Sequence, residues 1–234
     1  MPRHGTPVPD WTPPLPPGPP VMEGRFVRLE RLDPARHAAD LHAANTVSDA
    51  IWDYLPYGPF ENLAGYRSWA ADMAGRNDPF FYALCDRATG RAGGVASYLR
   101  ISPAAGSIEV GHIALAPVLQ RSPAATEAMA LMMGWAFSAG YRRYEWKCDA
   151  LNLASRRAAA RLGLSYEGTF RQAAVVKGRN RDTAWFAAID AEWPRLSAAF
   201  NDWLAPANFD GAGRQRLSLS ALTAPILVTR DPAL

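Results

Sequence analysis

The run from Ile108 to Ala128, IEVGHIALAPVLQRSPAATEA, constrains this chain more than any other stretch. Its apolar residues alternate up to Pro117, a short polar turn follows, and Ser122-Pro123 then opens a long amphipathic segment. Alternation is the period of a strand, and Ser before Pro is a favoured helix start, so the run predicts strand, loop, helix. A helix that begins just after a strand offers free backbone N–H groups, and the positive end of its dipole, to whatever lies in the loop. That is a place for an anion, and for a phosphate in particular.

The flanking segments say what this unit packs against. RFVRLER (residues 25–31) alternates as a strand, and Asp33-Pro34 caps a helix running to Asn45. IWDYLPYGPF (residues 51–60) holds four aromatics and several turn-formers, so it either plugs a core or lines a pocket through Trp52, Tyr54 and Tyr57. Residues 61–75 read as a further helix. Residues 80–85 and 93–101 are strands joined by the turn-rich DRATGRAGG, and a second turn leads into the strand at Ile108, which makes an antiparallel meander.

After Pro123 the residues Met129, Met132, Met133, Ala136 and Phe137 fall on one helix stripe, which Gly140 ends. Residues 143–149 are a strand separated from the previous one by that helix, hence parallel to it. Residues 152–162 form a helix stopped at Gly163. Residues 166–177 and 183–189 make a hairpin turned at Gly178, and a helix runs from Ala191 to Leu204 ahead of a tail with no readable pattern. The fold class is α+β, a mostly antiparallel sheet with one parallel join that leaves a slot beside the helix start at Ser122.

Composition narrows the partners. Nine prolines within the first twenty residues forbid a helix and leave either a proline-rich ligand or an extended arm anchored by Trp11. We therefore expect an arm over residues 1–20, one domain over 21–205 and a tail over 206–234. The net charge of +3 is small and scattered, so no nucleic-acid partner is expected, while a small acidic ligand fits. Cys85 and Cys148 lack the spacing of a metal or redox pair and read as buried thiols. With no apolar leader and no membrane-length run, the expectation is a cytoplasmic protein without a membrane partner. A homodimer is compatible with all of this.

Residues Glu109 to Asp190 resemble the GNAT superfamily of acetyl-CoA-dependent N-acetyltransferases, in particular the RimJ/RimL type that acetylates ribosomal-protein N-termini. The family's loop-helix pattern, Gln or Arg, two residues, Gly, one residue, then Gly or Ala, stands here as Gln120-Arg121-Ser122-Pro123-Ala124-Ala125, followed by Thr126-Glu127-Ala128. A second block, Asn152-Leu153-Ala154-Ser155, continues through RLGLSYEGTFRQ to Lys177-Gly178 and Asp182. The resemblance implies direct acetyl transfer from acetyl-CoA to an amine, at a protein N-terminus or on a small molecule. It implies that Gln120, Arg121, Ser122, Ala124 and Ala125 hold the pyrophosphate and that Ile113, Ala114 and Leu115 line the pantetheine slot. By the same resemblance Asn152 orients the cofactor arm and Ser155 protonates the leaving thiolate, although Asn152 also reads as a plain helix cap.

The sequence departs from the pattern twice. Pro123 replaces a glycine, which removes a phosphate donor. Ala174 stands where RimL-type sequences carry a glutamate, which leaves Glu109 as the candidate base and His112 as the second choice, the alternative being a structural Glu109 paired with an arginine. By strand alternation those two should point to opposite faces. The same departures motivate a rival reading, a GNAT-fold protein that binds CoA without turnover.

Overall fold

The computed structural model describes residues 4–234. Eight strands form one sheet in the order β1-β2-β3-β4-β5-β6-β8-β7, comprising β1 (Val21–Glu23), β2 (Val27–Arg31), β3 (Phe80–Asp86), β4 (Ala92–Ser102), β5 (Ser107–Leu115), β6 (Arg143–Asp149), β7 (Ser165–Val176) and β8 (Arg179–Ile189). Every neighbouring pair is antiparallel except β5 and β6. The helices are α1 (Pro34–Asn45), α2 (Leu63–Ala74), α3 (Pro123–Ser138), α4 (Leu153–Arg161), α5 (Trp193–Leu204) and the short α6 (Leu219–Thr223). None is long and apolar enough to cross a membrane. The α+β class and the single parallel join are as the sequence indicates.

Two cores sandwich the sheet. Under α3 and α5 lie Ile108, Val110, Tyr144, Trp146, Phe186 and the Met132/Met133 pair of the α3 stripe. On the other face, under α1 and α2, lie Phe81, Ala83, Val95, Ala114 and Trp52. Three capping side chains set helix starts as expected: Asp33 on α1, Ser122 on α3 and Asn152 on α4. The closing hairpin turns on Lys177 and Gly178, both with positive φ (48° and 74°), the signature of a two-residue type I′ turn. Its second strand starts at Arg179, four residues earlier than alternation suggests, because RNRD is polar on both faces.

The proline-rich arm lies on the domain. The Tyr82 and Tyr141 hydroxyls donate to the Pro19 and Leu15 carbonyls at 2.9 and 3.1 Å, and the Trp11 ring sits over Gly106 and Arg142. The C-terminal tail is fastened too. Leu219 and Ile226 belong to the α3 core, and Arg156 of α4 grips Asp231 through two hydrogen bonds, one of them Nε to Oδ2 at 2.7 Å. Arg156 is thus a structural residue, which also donates to the Ala150 carbonyl at 2.8 Å.

Burial works against the Asp231 charge, but the hydrogen bonds from Arg156 prevail and hold the carboxyl below its usual range. The stabilisation is therefore present above pH 3.8 and lost as pH falls through the lower folded value. Asp231→Asn is expected to cost about 2 kcal/mol at neutral pH, read by urea unfolding, because a charged acceptor pair becomes a neutral one.

Cys85 and Cys148 are both buried free thiols. The Cys85 sulfur approaches Glu30 and His37, with donor atoms within 4.8 Å of one another, although Arg28 and Arg36 already pair with the Glu30 carboxylate.

Candidate active site

The parallel ladder between β5 and β6 is short. Ser107 to Val110 pair with Arg143 to Trp146, and beyond that point the strands part, β5 running to Leu115 and β6 to Asp149 without shared pairs. The starts of α3 and α4 follow the ends of these two strands, so the opening is bordered by both helix N-termini.

The α3 border is built from backbone. The Gln120 side chain donates to the Leu115 carbonyl at 2.9 Å and holds the loop to the strand end. Arg121 adopts a positive φ of 58°. The Ser122 hydroxyl donates to Leu119 at 2.6 Å and accepts the Ala125 N–H at 3.2 Å, so the Ala125 N–H is engaged in the helix cap. The Ser122 N–H is likewise turned to the Leu119 carbonyl. That leaves the Arg121 and Ala124 N–H groups as donors without a backbone or side-chain acceptor among the described residues. Pro123 occupies the first helical position, where its missing N–H leaves no helical hydrogen bond unmade.

On the α4 border, Asn152 Oδ1 accepts the Ser155 N–H at 3.0 Å, so its oxygen caps the helix while its amide nitrogen has no acceptor among the described residues. The Ser155 hydroxyl accepts from Trp146 Nε1 at 3.0 Å.

The opposite face holds the titratable groups. A bulge interrupts the β4–β5 ladder: Ser97 pairs with Gly111 but Val95 pairs with Ala114, so Ala96 faces both His112 and Ile113. The extra residue sits at His112, whose φ is 50°. Alternation therefore inverts across it. Ile108 and Val110 before the bulge, and Ile113 and Leu115 after it, all face the α3 core. Glu109 and His112 accordingly share the α1/α2 face, and the opposite-face expectation is corrected.

Glu109 is 2% exposed. Its Oε2 lies 3.1 Å from Arg100 Nε and 3.3 Å from Lys147 Nζ, charge-paired with both but aligned for a hydrogen bond with neither. Burial raises its pKa to about 7, against the lowering pull of Lys147 and Arg100. Beside it, burial and then the charges of Lys147, Arg181 and Arg76 push His112 down to about 4, so its imidazole is neutral at pH 7. His112 Nδ1 lies 3.2 Å from the Tyr57 hydroxyl, and the two rings stack 5.6 Å apart. Burial drives the Tyr57 phenol upward, so it keeps its proton.

The aromatic loop serves both readings. Trp52 is 3% exposed and packs edge-on against Tyr57, Phe60 and Tyr66 as part of the α1/α2 core. Tyr57 forms a wall beside His112. Tyr54 is exposed at the rim, with its hydroxyl 3.3 Å from the Leu151 carbonyl.

Three residues of this face escape the sequence reading, Arg100, Lys147 and Arg181, and they gather around Trp185, which the sequence offers as a structural residue beside Phe186. Lys147 and Arg100 lie 5.1 and 5.2 Å from the Trp185 ring. Strand alternation in RYEWKCD does place Glu145 and Lys147 on one face, but only the sheet order brings them beside Glu109.

A family model described as Acetyltransferase (GNAT) domain matches residues 27–165. The chain is similar to the crystal structure of a GCN5-related N-acetyltransferase from Brucella melitensis, at 45% identity, covering 93% of this chain and 100% of that one, with a TM-score of 0.91. It is also similar to a probable acetyltransferase (GNAT family) from Chromobacterium violaceum, at 39% identity over 83% and 98% of the two chains, TM-score 0.78. At 22% identity, RimL, a ribosomal L7/L12 alpha-N-protein acetyltransferase, shares the fold over 72% of this chain and 93% of its own, TM-score 0.61. No curated protein sequence matches the chain.

Proposed function

We propose that this chain, which belongs to the GNAT acetyltransferase family, transfers the acetyl group of acetyl-CoA to a primary amine, foremost the α-amine of a protein N-terminus in the manner of a RimJ/RimL-type enzyme. The observation that carries the reading is the parting of β5 and β6 beside the α3 start, with Ser155 on one side of the opening and the buried carboxyl of Glu109 on the other. The catalytic unit in this reading is residues 21–205, with the arm and tail as fastened appendages.

Acetyl-CoA, when bound, supplies a thioester carbonyl open to attack by an amine. The residues present fit it. The Arg121 and Ala124 N–H groups are free to donate to a pyrophosphate at a helix start, Gln120 and Ser122 hold the loop in shape, and Ala114 and Ala116 keep the strand end narrow. Ile113, Ala114 and Leu115 offer backbone groups along the slot, with a β5 N–H near the bulge placed for the developing oxyanion. The Asn152 amide orients the cofactor arm.

Glu109 accepts the proton that the amine releases as its nitrogen bonds to the carbonyl carbon, directly or through one water. As the carbon–sulfur bond breaks, the Ser155 hydroxyl passes its proton to the departing thiolate and takes one back from solvent, while Glu109 releases the proton it accepted. An α-amine with a pKa of about 8 is already partly neutral, so a base of pKa near 7 is well matched to it. Tyr54 and Tyr57 flank the approach, while Trp52 supports Tyr57 from the core.

The test pairs calorimetric titration of acetyl-CoA with CoA release over a panel of N-terminal peptides and small amines. Micromolar binding and peptide-dependent release are expected. Release with small amines alone moves the acceptor to that class, and absence of both binding and release sinks the proposal.

A further inference from the structure

We infer that the acceptor carries an anionic group, a carboxylate or phosphate close to its amine, which Arg181 and the indole N–H of Trp185 receive beside Glu109. The inference rests on the acetyltransferase reading and names the substrate class of the same site.

Its basis is register and unmet donors. In β8, Ala184 and Phe186 are core residues facing α3, so Arg181, Thr183 and Trp185 project to the face that holds Glu109 and His112. Trp185 pairs with Lys147 across the ladder, and the last β6 pair is Asp149 with Thr183, so Arg181 lies just past the end of β6, at the mouth of the opening. Its charge is felt by both His112 and Cys148, one on each side of that opening.

The buried Nε of Arg181 and the buried Nε1 of Trp185 have no acceptor among the described residues. Two unmet donors on one wall of a catalytic opening call for an acceptor that arrives with the substrate.

The local charge points the same way. Arg100 and Lys147 share the single Glu109 carboxyl, itself close to half-protonated at neutral pH, and Arg181 adds a third cation. Glu145 and Glu167 are turned to Arg143, and Asp182 and Asp149 accept the Gln172 and Leu151 N–H groups, so among the described residues Glu109 is the only acid in an ion pair with any of these three cations. An anionic group on the acceptor can pair with Arg181, which has no acidic partner among the described residues. The same cations lower the pKa of the arriving ammonium and favour its reactive neutral form.

The test uses the full chain, acetyl-CoA and matched acceptors: N-terminal peptides with Asp or Glu against Asn or Gln at positions two and three, and phosphoethanolamine against ethanolamine. The anionic member of the productive pair is expected to win by tenfold or more in kcat/KM at low salt, with the margin shrinking as salt rises. Which pair turns over distinguishes a peptide source from a small-molecule one. R181Q should bring the ratio close to one through KM, and R181K should retain part of it. Equal rates within pairs, preference for the neutral member, or an undiminished ratio in R181Q overturns the inference and leaves the acetyltransferase reading standing. Silence over the whole panel with no acetyl-CoA binding overturns both.

Discussion

Glu109→Gln is expected to lower kcat/KM by about 10²–10⁴-fold, the usual worth of a positioned general base. The variant keeps the size and burial of the side chain, so the loss reports proton transfer and not a cavity. The wild-type rate should rise with pH through an apparent pKa near 7, and that limb should disappear in the variant. A second readout is independent of turnover. The folded carboxyl titrates near 7 against an ordinary 4.5, so the native state holds its proton more tightly than the unfolded chain does. The associated stability is fully present below pH 4.5 and is lost as pH rises through 7. Glu109→Gln should remove that decline, a relative gain on the order of 3 kcal/mol above pH 7, offset in part by the two cations left without a partner. Retention of the wild-type pH–rate limb in the variant would falsify the assignment of Glu109 as base.

Glu127→Ala is expected to be the most destabilising single change. From the first half of α3 its carboxylate accepts the N–H groups of Arg25, Phe26 and Val27, at 2.8, 2.6 and 2.9 Å, and so ties the helix to the start of β2. Removing it leaves three donors unmet, two of them partly screened by solvent, for a loss of about 3–5 kcal/mol. In a chain of this length that corresponds to a fall in Tm of about 10 °C, measurable by calorimetry. Gly24→Ala tests the same joint from the other side. A Cβ at Gly24 would lie 2.3 Å from the Glu127 carboxyl carbon, against carboxylate atoms that are held in place by their hydrogen bonds. A Gly24→Ala variant as stable as wild type would show that this joint is looser than the geometry indicates. Because α3 carries the proposed pyrophosphate donors at its N-terminus, either change should also weaken acetyl-CoA binding while leaving the Glu109 pocket in place.

Much of the framework is legible from local pattern alone. The β5–α3 unit, the caps at Asp33, Ser122 and Asn152, the methionine stripe of α3 and the hairpin turn at Gly178 each depend on a few residues whose preferences agree. Where the pattern is short or polar on both faces it misleads. Strand β1 spans only Val21–Glu23 after a run of prolines, and the start of β8 reads as a turn. The bulge at His112 left one trace, a glycine inside a strand, which is the usual sign of such a break. Strict alternation across Gly111 put His112 on the wrong face. The role of Arg156 had no local trace at all, since its partner Asp231 lies at the far end of the chain.

What the sequence determined by itself is whatever depends on neighbours along the chain: the order of strands and helices, the helix start at Ser122-Pro123, and the two blocks that mark an acetyltransferase. What the tertiary structure decided is which charges meet. Arg100, Glu109, Lys147, Arg181 and Trp185 come from four strands, and their grouping depends on sheet order and on a single bulged residue. Periodicity reports how a segment sits relative to its own axis, whereas the pKa of a buried carboxyl depends on the dielectric and the charges that other segments bring to it.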